Sequence, residues 1–140
     1  MITCYQVIKP MERITKQGTA IMKAIQEAQR PLLPQEIQEA AALSVPGLGI
    51  ATVYRNIKSL VDNGMLTTVY LPGENPRYEQ SHHHHHHHFH CNRCDKVFDV
   101  HDCPGDMQQL APKGFTVESH EITLYGLCET CKLSPPPPSA

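Results

Sequence analysis

The chain has 140 residues, 12 of them basic and 14 acidic, for a net charge of -2. That length holds one domain or two small ones, and small units bury too little surface to be very stable without a staple such as a metal or a partner subunit. No apolar run approaches membrane-spanning length, and the first residues show no basic segment followed by an apolar signal core, so the six cysteines are expected as metal ligands in a reducing cytoplasm rather than as secreted disulfides.

Charge is spread unevenly, with eight basic against seven acidic residues over 1–80 and four against seven over 81–140, so the first half is the better candidate for a polyanion. From Ile14 onward Ile21, Ile25 and Ala28 recur at helical spacing until Arg30-Pro31 stops the pattern. Pro34 opens a second helix, its fixed φ suiting a first turn, with Ile37, Ala40 and Ala41 expected inside before Pro46-Gly47. A third helix is expected from about Ile50 to Asn63, burying Val53, Ile57, Leu60 and Val61 and closing on Gly64 as a left-handed cap. Met65 to Leu71 then turns β-rich, breaks at Pro72-Gly73-Glu74-Asn75-Pro76 and resumes at Arg77-Tyr78-Glu79, as a hairpin does.

Three short helices followed by a hairpin read as a winged helix-turn-helix. Thr52, Tyr54, Arg55 and Lys58 stand off the apolar stripe of the third helix and offer what a DNA major groove needs: a guanidinium for guanine edges or phosphate, and hydroxyl or aromatic contacts for thymine methyls. An ordinary solvated helix face carries the same residue types.

The second half holds the most specific signal. Cys91-x-x-Cys94 and Cys128-x-x-Cys131 are two thiolate knuckles separated by enough chain to fold back and close one tetrahedral zinc site. Redox thiols or disulfides are the alternative, but neither pair has a thioredoxin-like setting. His82 to His88, Phe89 and His90 precede the first knuckle, and imidazole suits zinc, iron, nickel and copper.

The string Gly49-Ile50-Ala51-Thr52-Val53-Tyr54-Arg55-Asn56-Ile57, followed by Arg77-Tyr78-Glu79, the histidine cluster and Cys91-x-x-Cys94, closely resembles the ferric uptake regulator (Fur) family over about residues 12–132. The resemblance implies an α+β chain: an N-terminal winged helix-turn-helix domain over 1–80 and a small α/β metal-binding dimerisation domain with a Cys4 zinc site over 81–132; four consecutive prolines, which fit neither helix nor ladder, predict a disordered tail over 133–140. It implies a cytoplasmic homodimer that binds double-stranded operator DNA as a metal-dependent repressor of metal homeostasis or peroxide response, with no enzymatic activity, no membrane and no small-molecule substrate. The histidine run lies where the family has its His-rich stretch and is read as native.

Carried over residue by residue, Cys91, Cys94, Cys128 and Cys131 match the structural zinc ligands. Glu79, His86, His88 and Asp99 match the regulatory site for iron(II), manganese(II) or zinc(II). His85, His87, Asp106 and His120 match an additional site, with His87 in place of a usual acid and His120 expected on a strand-like run from Phe115 to Leu124. His82, His83 and His84 are surplus and would buffer or funnel metal, or do nothing.

Two departures stand out. The loop before the second helix reads Arg30-Pro31-Leu32-Leu33 and lacks the family's further regulatory histidine. The start of the first helix reads Thr15-Lys16-Gln17-Gly18, leaving Lys16 as its main basic DNA contact. Zinc-responsive members commonly use a regulatory cysteine, and none lies between Cys4 and Cys91, whereas peroxide-sensing members carry Asp where Asp99 stands. Iron or peroxide response is therefore the first expectation. A zinc-responsive regulator of the same family, or a His-rich metal storage or delivery protein, is the alternative. Cys103 stands outside these sets, as an accessory ligand, a redox thiol or a small buried residue.

Overall fold

A computed structural model describes residues 15–81 and 84–134. Cys4, His82, His83 and residues 135–140 of the Pro-rich tail lie outside the described residues, while Leu133 closes the last helix. No helix among the described residues is long and apolar enough to cross a membrane.

Helix α1 runs over Lys16–Ala28, capped at its start by the Thr15 hydroxyl, which accepts from Gly18 N at 3.1 Å, and closed by Gln29 in the left-handed region at φ 52°. Helix α2, Pro34–Ala42, opens on its proline, and the Glu36 carboxylate turns back to accept the Leu33 amide at 3.1 Å. Helix α3, Ile50–Asp62, ends as Gly64 turns left-handed at φ 74°. Ile21, Ile25, Ile37, Val53 and Ile57, each at most 2% exposed, meet where the three helices cross. Ala40 departs from the expected inward face: it is exposed, because α2 buries Pro34, Ile37 and Ala41 instead.

Strands β1 (Leu66–Val69) and β2 (Arg77–Gln80) form the antiparallel wing, with Leu66 opposite Gln80 and Val69 opposite Arg77. Leu32 and Tyr78 exchange both backbone hydrogen bonds at 2.9 Å, which locks the loop before α2 onto β2. The second sheet has the order β4-β3-β5: β3 (His87–Cys91) is central, antiparallel to β4 (Val97–Val100) and parallel to β5 (Thr123–Gly126). Helix α4 spans Glu129–Leu133. Between β4 and β5 the chain makes a 3-10 turn at Gln108–Leu110 and a tight turn that Phe115 N closes onto the Pro112 carbonyl, and the strand expected from Phe115 begins at Thr123, so His120 sits on the approach to β5 and not within it.

Wing and second sheet pack directly together. Val69 and Leu71 of the wing close over Val97 of β4, which is fully buried. The buried face of β2 carries two charged residues, Arg77 and Glu79, both aimed at the second sheet. Buried charges need partners, and those partners define the sites below.

Candidate metal centres and DNA-binding helix

Strand β3 sorts the histidine run. Successive side chains of a strand point to opposite faces, and the extended chain carries the alternation back through His85. His86 and His88 therefore fall on the side of Glu79 and Asp99, while His85 and His87 fall on the side of Cys103 and His120. Pairing of His88 with Asp99 across β3 and β4 fixes the first group, and the approach of residue 122 to His87 fixes the second.

In the first group, Glu79 Oε1 stands 2.8 Å from His86 Nε2 and 3.7 Å from His88 Nε2, and Asp99 Oδ1 stands 3.6 and 3.5 Å from the same two nitrogens. His86 Nδ1 donates to the His84 carbonyl at 3.0 Å, which leaves Nε2 as the atom facing the carboxylates. Burial works against charging His86, but its bonds to the His84 carbonyl and to Glu79 outweigh it and raise its pKa. Burial and the adjacent Glu79 carboxylate push Asp99 up to about 7. Burial would likewise raise Glu79, yet hydrogen bonds from His88, Asp99 and His86 hold it down at about 2. Below about pH 7 the two buried carboxyls therefore share a proton, which a bound cation would displace. Oxygen and nitrogen donors of this kind suit iron(II), manganese(II) or zinc(II). No imidazole arrives from the loop before α2: a cavity of about 350 Å³ lies there, lined by Gln26, Gln29, Arg30 and His101 together with Glu79 and Asp99.

The four cysteines of the two knuckles form a second group, all free, with every Sγ within 4.8 Å of the others. Cys94 and Cys128 Sγ are 3.8 Å apart, too far for a disulfide and equal to the edge of about 3.8 Å of a tetrahedron with Zn–S near 2.3 Å. The thiols differ sharply: amides of Cys128 and Cys94 lower Cys91 to about 6, while burial and the neighbouring thiols push Cys131 up to about 12. Four thiolates cannot share this space without a cation, and zinc fits the donor set. Arg93 ties the knuckles together by donating to the Cys131 carbonyl at 2.6 Å.

The third group is His85, His87, Cys103 and His120. Asp106, matched to this site by the resemblance, is not among them; its carboxylate accepts the Gln108 amide at 2.7 Å and caps the 3-10 turn. Cys103 reaches the histidines instead, at 3.4 Å from His87 Nε2 and 3.2 Å from His120 Nε2. His87 is 2% exposed, and burial followed by the charges of His85 and His120 lowers its pKa, keeping the ring neutral.

A fourth group, Glu74, His90 and Asp95, has no counterpart in the sequence reading. The guanidinium of Arg77, fully buried, lies among them, donating to the Asp95 carbonyl at 2.9 Å with Glu74 at 3.6 Å and the Asp95 carboxylate at 3.4 Å. His90 bonds Asp95 through Nε2 at 2.6 Å, while its Nδ1 lies 4.0 Å from the Glu74 carboxylate. A cation is already in place, so this cluster is a polar strut between wing and first knuckle. The alternation from His86 through His88 to His90 is the signal that could have found it.

On α3, Tyr54, Arg55 and Lys58 are exposed and Thr52 half-buried, with Arg55 Nη2 donating to Thr52 Oγ1 at 3.1 Å. Lys16 is exposed at the start of α1.

Residues 10–125 match the ferric uptake regulator family. The chain is 32% identical over 123 residues to the peroxide-responsive repressor PerR of Staphylococcus saprophyticus, covering 86% of this chain and 82% of that one. It is 33% identical over 96 residues to the ferric uptake regulation protein of Staphylococcus aureus, covering 69% and 71%. Solved structures that share its fold include a zinc-bound manganese uptake regulator at a TM-score of 0.75, 23% identity and coverage of 84% and 91%, and the ferric uptake regulator of Francisella tularensis with iron at 0.67, 22%, 89% and 97%. The chain belongs to the ferric uptake regulator family of metal- and peroxide-responsive transcriptional regulators.

Proposed function

We propose that the protein is a cytoplasmic homodimeric repressor whose operator binding is switched at Glu79, His86, His88 and Asp99. The observation that carries this reading is that Glu79 comes from the wing, His88 and Asp99 from the second sheet and His86 from the segment that leads into β3, so the four donors converge in one relative position of wing and sheet. A divalent cation held there favours that position over others, and a ligand shifts a population only by such differential affinity. In the dimer, the favoured position spaces two α3 helices for a pseudo-palindromic operator. Lys16 and Lys58 contact phosphate, while Thr52, Tyr54 and Arg55 read base edges. The four cysteines hold zinc and fasten the dimerisation unit.

Iron or peroxide response ranks first for the physiological signal, since every donor at the Glu79 site is oxygen or nitrogen. A storage protein would have no use for α3 and its wing. The test is a binding titration on the protein's own promoter DNA with iron(II), manganese(II) and zinc(II) in turn, run beside Arg55→Ala. Metal-dependent retention is expected, and Arg55→Ala should cost about 1–3 kcal/mol with metal content unchanged. Equal DNA binding with and without metal would defeat the proposal.

A further inference from the structure

The odd-numbered face of β3 ends in a donor set unlike that of the even-numbered face. Opposite the two carboxylates of the Glu79 site stands one sulfur with three imidazoles. We infer that His85, His87, Cys103 and His120 form a four-coordinate thiolate site that takes zinc-class cations and discriminates against iron(II) and manganese(II), with Cys103 rather than Asp106 as its anionic ligand. The inference stands whether or not the Glu79 site switches DNA binding.

Convergence is the first ground. His85 Nε2 lies 3.0 Å from His87 Nε2 and 3.2 Å from His120 Nε2, and Cys103 Sγ lies 3.4 and 3.2 Å from the latter two. A tetrahedron built with Zn–N of 2.0–2.1 Å and Zn–S of 2.3 Å has edges of about 3.3–3.6 Å, within a few tenths of an ångström of these separations.

Local backbone geometry is the second ground. Gly105 turns left-handed at φ 97° and directs its amide back onto Cys103 Sγ at 3.4 Å. Cys91 receives the same kind of backbone amide, from Cys128, at 3.4 Å within the four-cysteine group. Asp106 spends its carboxylate on the 3-10 turn. Ligation carries one cost: Ile122 N is directed at His87 Nδ1 at 3.2 Å, and binding metal through Nε2 moves the ring proton to Nδ1 and gives up that hydrogen bond. Selectivity then follows from the donors, because thiolate and imidazole favour zinc and cobalt(II) over the oxygen-preferring ions.

Cobalt(II) reports both ligand identity and geometry. Protein retaining one zinc per chain on its four cysteines is titrated with cobalt(II). The expected product shows strong tetrahedral ligand-field bands and a near-ultraviolet thiolate-to-cobalt transition, both bleached by zinc and untouched by manganese(II). Cys103→Ala should abolish the charge-transfer band and Cys103→Asp should keep binding without it, each variant retaining its zinc and its circular dichroism. Asp106→Ala should leave the spectrum unchanged. A charge-transfer band that survives Cys103→Ala, or disappears in Asp106→Ala, overturns the inference. Promoter binding by the same variants reads the Glu79 switch separately, so failure of one reading does not imitate failure of the other.

Discussion

The four-cysteine group and the Glu79 group lie at opposite ends of the β3-β4 hairpin but draw their donors from different parts of the molecule. Every sulfur comes from residues 91–131, within one structural unit, and Cys91 and Cys131 are buried. The Glu79 group draws one ligand from the wing, two from the second sheet and His86 from the segment leading into it, around a carboxyl pair in which Asp99 is raised to about 7. Binding energy at the first group can only stabilise the unit that holds it. At the second, binding energy depends on how wing and sheet sit together, so it can select a conformation. On the proposed function, location of the donors, more than their chemistry, would separate a staple from a switch.

The largest effect should come from breaking the staple. Apparent zinc affinities of small thiolate folds are about 10–16 kcal/mol and are inseparable from folding, so Cys94→Ser or Cys128→Ser should yield a misfolded or monomeric protein that has lost its zinc. Size-exclusion chromatography, circular dichroism and metal content measure this together. A well-folded dimer with its full zinc in either variant would end the contrast between the two groups.

Next in size is loss of the switch. His86→Ala combined with His88→Ala should leave the cysteine zinc and the dimer intact and remove the gain in operator affinity on adding metal, a coupling of about 5- to 150-fold for a typical allosteric site. Full metal dependence in the double variant would move the switch to the group containing Cys103.

Much of this was legible in the sequence, for definite reasons. Ile21, Ile25, Val53 and Ile57 follow the helical period and are buried as that period requires, and the two Cys-x-x-Cys knuckles carry their own geometry. The Glu79 donors were placed by resemblance, and strand alternation explains why they converge. What stayed hidden depends on loops. Cys103 rather than Asp106 reaches His120 because Gly105 turns the chain and Gln108 claims the aspartate, and neither event has a periodic signature. The Arg77 strut forms where a wing turn meets a knuckle turn, with Asp95 left-handed at φ 63°. Such a meeting of two turns exists only in three dimensions.

A graded test of the contrast is pH. Asp99 has a pKa of about 7 without metal and His86 a raised one, so protons compete with the cation for both ligands. Apparent affinity at the Glu79 group should fall about tenfold per pH unit, for each proton displaced, as pH drops below about 7. Calorimetry in buffers of different ionisation enthalpy counts the protons released on loading. No proton release near pH 6 would contradict the shared-proton state of Glu79 and Asp99.

The smallest expected effect is also a test of the sorting by strand faces. His82, His83 and His84 precede the alternating segment, and the one described contribution of His84 to the Glu79 group is its backbone carbonyl, which accepts from His86 Nδ1. Alanine at all three positions keeps that carbonyl and keeps the length of chain that joins β2, ending at Gln80, to β3, starting at His87; deletion would shorten the joint itself. The triple variant should therefore hold less weakly bound metal at saturation, while operator affinity with metal changes by no more than about 0.5 kcal/mol, as for surface substitutions away from any site. A loss of metal-dependent operator binding comparable to that of the His86 and His88 double variant would mean that the leading histidines ligate the switch, and that the alternation of β3 does not decide which imidazoles do.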